Sequence, residues 1–340
     1  MKIAVDAMGG DFAPAAIVEG AVQSLRDFKD IDELFLVGDE VQVRAECRRY
    51  GRPDHRITIV HASQVVRMED AAIEGIRRKK DSSVSRAVDL VKEGRAQAVV
   101  TAGHTGAAVA AATIKLRTLA GVDRAGIATI MPTERNVFVL IDAGANIEAK
   151  PVHLLQYAVM GSVYSREVLG YPNPRVGLMS IGEEDVKGND LTLEAFKLLE
   201  SSNLNFAGNV EGHDVFKGNV EVIVCDGFVG NVVLKTAESL ANALFRWLKT
   251  ELMRNPIRKA AAVLAQDAFG AIRRKTDYAE YGGAPLLGTN GVCIIGHGAS
   301  SPKAIRNAVR VARESISNQL THHIVEQIRF NHRWIGDQHA

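Results

Sequence analysis

The sequence predicts an α/β fold built on a mainly parallel sheet with flanking helices, and three observations carry that prediction. Six apolar runs, most of them β-branched, each end abruptly in glycine and small polar residues. The runs are continuously apolar rather than alternating, as strands buried on both faces are. Helical patterns stand between several of them, which implies βαβ units. The irregular spacing of the runs excludes a solenoid repeat.

In chain order, IAVDAMGGD from Ile3 supplies the first strand and its glycine turn. A helix over 14–28 follows, with Pro14 in a first turn that tolerates proline. Ser83 to Glu93 places Val84, Ala87, Val88 and Val91 on one helical face. AVVTAGHTGA from Ala98 and VFVLIDAGAN from Val137 are the next strand ends, and His153 to Val168 is a long periodic helix. VGLMSIGEEDVKGN from Val176, VIVCDGFVGN from Val222 and VCIIGHGASS from Val292 repeat the grammar, and the pattern from Pro302 to Gln327 predicts one helix. No Pro/Ser-rich linker interrupts the chain, so residues 1–340 read as a single catalytic domain, any second lobe being woven into the first.

One segment departs from this grammar. From Arg246 to Lys275 eight basic residues face only Glu251 and Asp267, a local net charge of +6. Ile257, Ala261, Leu264, Ala268 and Ile272 form an apolar helical stripe through it. Two readings are open. The stripe packs on the chain's own core, or residues 237–276 protrude as a basic amphipathic hairpin toward a second copy, a membrane or an acidic partner. The Asn255-Pro256 break suits a hairpin tip.

Composition narrows the function. The chain of 340 residues is 46% hydrophobic and 24% charged, with a net charge of +1, which excludes disordered and coiled-coil classes and argues against a nucleic-acid binder. Cys47, Cys225 and Cys293 are scattered without zinc-ligand spacing, so a reducing cytosol is expected and a metal centre is not. An aspartate at the sixth residue precludes a signal-peptide core, and the uncharged stretch from Ala96 to Ile114 is too polar for a membrane span.

Open parallel sheets bind ligands at the carboxyl ends of their strands. Here those ends carry Gly9, Gly10 and Asp11; Gly103, His104, Thr105 and Gly106; Asp142, Gly144 and Asn146. They also carry Glu183, Glu184, Lys187 and Asn189; Asp226, Gly227 and Asn231; and His297 and Ser300. Glycines admit close backbone approach and helix N-termini favour anions, so the set suits phosphate or an oxyanion better than a metal. P-loop, dinucleotide, nucleophile-elbow and HExxH motifs are absent. His104 and His297 are the histidines best placed to titrate near neutrality, although either equally fits a structural role. His322, His323, His332 and His339 read as surface residues.

At these loops the chain resembles the bacterial phosphate acyltransferases of phospholipid synthesis. Asp6, Met8, Gly9, Gly10, Asp11 and Pro14 match the family's D-x-M-G-G-D opening and proline, and Ala102, Gly103, Thr105, Gly106 and Ala107 match S-A-G-N-T-G-A. Gly144, Ala145 and Asn146 match G-A-N, and Gly182, Glu183, Glu184, Lys187 and Gly188 match G-E-E…K-G. Asp226, Gly227, Phe228, Gly230, Asn231, Leu234, Lys235 and Thr236 match D-G-F-x-G-N…L-K-T. Gly283, Ala284, Leu286, Leu287 and Gly288 fit G-A-x-L-L-G, and His297 with Gly298 fits H-G. Thr101 and His104 stand where the family has serine and asparagine.

The resemblance implies a fold like that of isocitrate and isopropylmalate dehydrogenases, a homodimer, and a cytoplasmic protein loosely held at the inner face of the cell membrane. It implies acyl groups taken from acyl carrier protein, passed to inorganic phosphate, and handed on to a membrane glycerol-phosphate acyltransferase, with no cofactor. The expected catalytic set is Lys187, Asn146, Asn231 and His297. The expected phosphate- and acyl-binding set is Gly9, Gly10, Asp11, Gly103, His104, Thr105, Gly106, Asn189, Asp226, Gly227 and Lys235. Three alternatives are weighed: a short-chain acyl-CoA phosphotransacetylase, a dehydrogenase of the same fold, and a non-catalytic membrane scaffold. The dehydrogenase lacks its aspartate and arginine constellation here.

Overall fold

A computed structural model describes residues 1–51 and 54–338; His339 lies outside them. The first stretch comprises β1 (Lys2–Asp6), α1 (Ala15–Asp27), β2 (Glu33–Gly38), α2 (Glu40–Arg49), β3 (Ile57–His61), α3 (Ala72–Arg78), α4 (Ser83–Lys92), β4 (Ala98–Thr101) and α5 (Thr105–Lys115). The middle holds β5 (Gly126–Pro132), β6 (Val137–Ile141), α6 (Pro151–Glu167), β7 (Val176–Met179), α7 (Asp190–Glu200), β8 (Phe206–Val210), β9 (Val222–Val224) and α8 (Gly227–Leu252). Then come α9 (Pro256–Leu264), α10 (Gln266–Thr276), α11 (Tyr278–Tyr281), β10 (Ala284–Leu287), β11 (Val292–Ile295), α12 (Pro302–Ser317) and α13 (Leu320–Gln338).

The strands form one 11-stranded sheet in the order β3-β2-β1-β4-β11-β10-β5-β6-β9-β7-β8. From β3 to β11 all neighbours are parallel. From β6 to β8 they are parallel again. Between these blocks the β11–β10, β10–β5 and β5–β6 pairs are antiparallel. The three reversals leave the second block running opposite to the first.

Both faces of each block are covered. Ile3 and Val5 point into the cluster beneath α1 and α12, while Ala4 points into the one beneath α4 and α5. This is the period-two alternation of a strand, and two apolar faces account for the continuous apolar runs. In the second block Val139 and Ile141 meet α6 and α7, and Phe138 and Leu140 meet the start of α8.

Two expectations are refined. The helix predicted from Pro302 to Gln327 is two helices, because Asn318 caps the first and Gln319 turns the chain at φ 48°. The segment from 237 to 276 contains the distal half of α8, then α9 and α10. Asn255 and Pro256 separate the first two, and Asn255 caps α9 by accepting from Arg258 N–H at 2.9 Å. Neither α9 nor α10 has a buried residue, and Ile257 and Leu264 are 83% and 88% exposed, so the stripe does not pack on this chain's core. Among the described residues no helix is long and apolar enough to cross a membrane.

Candidate functional site

The loops after β1 and β4 converge on a buried carboxylate, and the loop after β11 joins them through Gly298. Asp6 accepts from the Thr101 hydroxyl at 2.7 Å and from Met8 N–H at 3.2 Å, and Thr101 Oγ1 accepts from Gly103 N–H at 3.2 Å. Burial pushes the Asp6 carboxyl above its ordinary range, while hydrogen bonds from Ser83, Thr101 and the loop backbone pull the other way. Gly9 is obligatory here, because a Cβ would stand 2.6 Å from Asp6 Oδ2 and 2.8 Å from Gly103 N. Asp11 N–H donates to Gly298 O at 2.8 Å, and Gly10 adopts φ +115° against the same carbonyl.

The first turn of α5 completes this group. His104 caps the helix, its Nδ1 accepting from Ala107 N–H at 3.2 Å. The imidazole lies over Gly106, where a Cβ would stand 3.1 Å from His104 Cε1 and 3.1 Å from Ala72 Cβ. Thr105 is exposed beside it. His297 is exposed, its Nδ1 accepts from Ala299 N–H at 3.1 Å, and its carbonyl accepts from Ser300.

A second group forms after β6 and β9. Asp142 is fully buried and accepts from the backbone N–H groups of Ile127, Gly144, Ala145 and Asn146 at 2.7–3.1 Å. Burial pushes its carboxyl upward against those bonds, and burial likewise raises neighbouring Tyr157 and Cys225. Asn146 directs its amide N–H groups at Ala125 O, Asp142 and the Tyr157 hydroxyl, at 2.6, 3.1 and 2.8 Å. Its donors are therefore committed inside the protein, which fits a framework role rather than contact with an oxyanion.

The start of α8 presses onto this loop. A Cβ at Gly227 would stand 2.7 Å from Asn146 O, and one at Gly230 only 1.9 Å from Asp142 O. Asp226 caps the helix, accepting from Phe228 and Val229 N–H at 2.9 and 3.0 Å. Asn231 is exposed and faces Gly144. Lys235, one turn on, pairs with Glu238 at 3.1 Å.

A third group follows β7. Lys187 is exposed and folds its stem over Gly182, with no carboxylate in ion-pair range among the described residues. Asn189 caps α7, accepting from Thr192 N–H at 3.0 Å. Glu183, His213 and Asp214 bring ligand atoms within 4.8 Å of one another, but Asp214 is already paired with Lys217.

The strands that carry these six loops run in two opposite directions. β1, β4 and β11 are parallel to one another and β6, β9 and β7 run the other way, yet the loops after β4 and β6 meet. One apolar cluster links the first two groups: Ala107, Ala108 and Ala111 of α5 pack with Ala143, and Ala145 and Leu234 rest on the same cluster. Sequence reasoning passed over Tyr157 and the loop from β3 to α3, where Ser63, Gln64, Arg67, Asp70 and Lys79 line a cleft of about 740 Å³. No glycine-ended apolar run marks that loop.

The architecture is one shared by phosphotransacetylases. A phosphotransacetylase from Streptococcus pyogenes aligns over 93% of this chain and 94% of its own, with a TM-score of 0.63 at 20% identity. A 4-hydroxythreonine-4-phosphate dehydrogenase from Klebsiella pneumoniae aligns over 92% and 98%, with a TM-score of 0.51 at 14% identity. At such identities the likeness is one of fold. Within that fold the chain belongs to the family described as fatty acid synthesis protein, whose model matches residues 1–323. Relatives named phosphate acyltransferase are 51% identical over 328 residues in Pelotomaculum thermopropionicum and 50% identical over 332 in Pelobacter propionicus. These alignments cover 96% and 98% of this chain and 95% of each relative.

Proposed function

We propose that the protein transfers a fatty acyl group from acyl carrier protein to inorganic phosphate, giving acyl phosphate for phospholipid synthesis. The observation that carries this reading is near-full-length identity of about half to phosphate acyltransferases. The loop chemistry agrees with it. A phosphate oxygen attacks the thioester carbonyl, a tetrahedral oxyanion forms, and the C–S bond breaks as the C–O bond to phosphate is kept. Phosphate near neutrality is already substantially dianionic, so the task is to hold two anions together and to stabilise the developing oxyanion.

In this reading the backbone of Gly9, Gly10, Gly103, Thr105 and Gly106 cradles phosphate beside Asp11 and His104. Lys187 contributes charge and Asn231 orients an acyl or phosphate oxygen, while His297 protonates the departing thiolate. Asn146, Asp226 and Asn189 hold the loops in place, and Gly227 and Lys235 border the acyl side. No metal or cofactor enters these steps.

The partners follow as part of the same proposal. Residues 237–276 act as a protruding hairpin on a single catalytic domain, with exposed Leu240, Leu244 and Trp247 of α8 set for a second copy. The +6 charge and exposed Ile257, Val263 and Leu264 suit the anionic inner face of the cell membrane, where a glycerol-phosphate acyltransferase would take the product. The test is incubation with long-chain acyl carrier protein and phosphate, with hydroxylamine trapping. A hydroxamate that requires both substrates supports the reading. Turnover confined to short acyl-CoA would replace it with a phosphotransacetylase.

A further inference from the structure

We propose that His104 is an anion-binding donor, held by its own helix cap as the neutral tautomer that presents Nε2–H to phosphate. The proposal rests on the acyl-to-phosphate reading and deepens it at one atom. A ring nitrogen that accepts from a backbone N–H carries no hydrogen of its own. Nδ1 accepts from Ala107 N–H at 3.2 Å, so the proton of the neutral ring sits on Nε2. Moving the proton to Nδ1 would break the cap, so the cap selects the Nε2–H tautomer.

The ring's place is fixed from outside too. It lies over Gly106 with Cε1 and Nδ1 3.1 and 3.4 Å from the missing Cβ, and Ala72 closes on the same point at 3.1 Å. Gly106 is therefore the residue that makes room for the imidazole. Upstream, Gly103 abuts Gly9, tying the loop to the end of β1. Nε2 has no partner among the described residues, and the ring is half-buried. The Nε2–H group here adds a donor to the unpaired amides of the first turn of α5.

Two variants separate cap from donor. His104→Asn keeps an acceptor for Ala107 and an N–H group, whereas His104→Ser keeps the cap but has no ring N–H. Long-range 15N–1H spectra of the intact protein at neutral pH should show the proton on Nε2, and titration with inorganic phosphate should shift that nitrogen. His104→Asn should hold the phosphate KM within about threefold, while His104→Ser should raise it roughly tenfold or more, as loss of one hydrogen bond to a charged group does. The KM for the acyl donor should stay unchanged in both. A proton on Nδ1, a ring indifferent to phosphate, or a wild-type phosphate KM in a folded His104→Ser protein would overturn the assignment. The spectra test the donor even if no acyl phosphate is formed, so the two readings fail separately.

Discussion

At the scale of single residues, the site is a matter of space as much as of charge. Gly106→Val should lower activity by orders of magnitude, because its branched side chain must displace the His104 ring and Ala72 together. Measuring phosphate KM beside a melting curve checks this, and an unchanged KM in a folded variant would contradict it. Lys187→Ala should cost roughly 2–4 kcal/mol in transition-state stabilisation if the free ammonium faces a reacting anion, with Lys187→Arg rescuing only part. Full activity in the alanine variant would leave Lys187 a surface residue. The identities of Gly9, Gly103 and His104 were legible because glycine and polar residues interrupt an apolar run. Asp6 and Tyr157 were not assigned roles, since a buried carboxylate that organises a loop looks in sequence like any strand-end aspartate. The direction of the Asn146 donors was equally invisible, being set by Tyr157 eleven residues away on α6.

At the scale of elements, the strands read correctly were those buried on both faces. β2 escaped notice although it too is buried on both faces, and so did β3, β5, β8 and β10. β3 and β8 are edge strands of mixed burial, and β5 and β10 carry proline or glycine within short antiparallel pairings. Edge placement and reversed pairing both weaken the apolar signature. β3 is also where an electrostatic clamp acts: Arg56 donates to Leu25, Phe28 and Ile31 carbonyls and pairs with Asp54 at 2.8 Å. The guanidinium lowers the Asp54 carboxyl to about 2, from an ordinary value of 3.8. A depressed folded pKa means stability that is present above pH 3.8 and lost as pH falls through about 2. Asp54→Asn should therefore be less stable than wild type at pH 7, with the gap closing in strong acid; denaturant titrations at both ends would show it. For α9 and α10, changing Leu264 and Ile272 to glutamate should abolish binding to anionic vesicles and leave turnover of soluble substrate intact. Retained vesicle binding would move the membrane contact elsewhere.

At the scale of the whole molecule, light scattering should find a particle of two chains, and Leu244→Glu with Trp247→Glu on α8 should reduce it to one. A particle that ignores both changes would place the contact on another face. The sequence could suggest two lobes woven together but not how they are joined, since that depends on pairings between residues far apart in the chain. β4 has β11 as its inner neighbour and β5 has β10, so the two parallel blocks share no direct strand pairing. The joint is the short β10–β11 ribbon, made of residues that follow β4 by nearly two hundred positions. On a ribosome, both half-sheets therefore emerge with an inner edge open, and neither can be sealed until the ribbon has been synthesised. Folding waits on the late arrival of a keystone, and exposed strand edges must be guarded meanwhile against pairing with other chains. A nascent chain stopped just before Ala284 is then the species most exposed to misassembly, even though most of its helices and strands are already present.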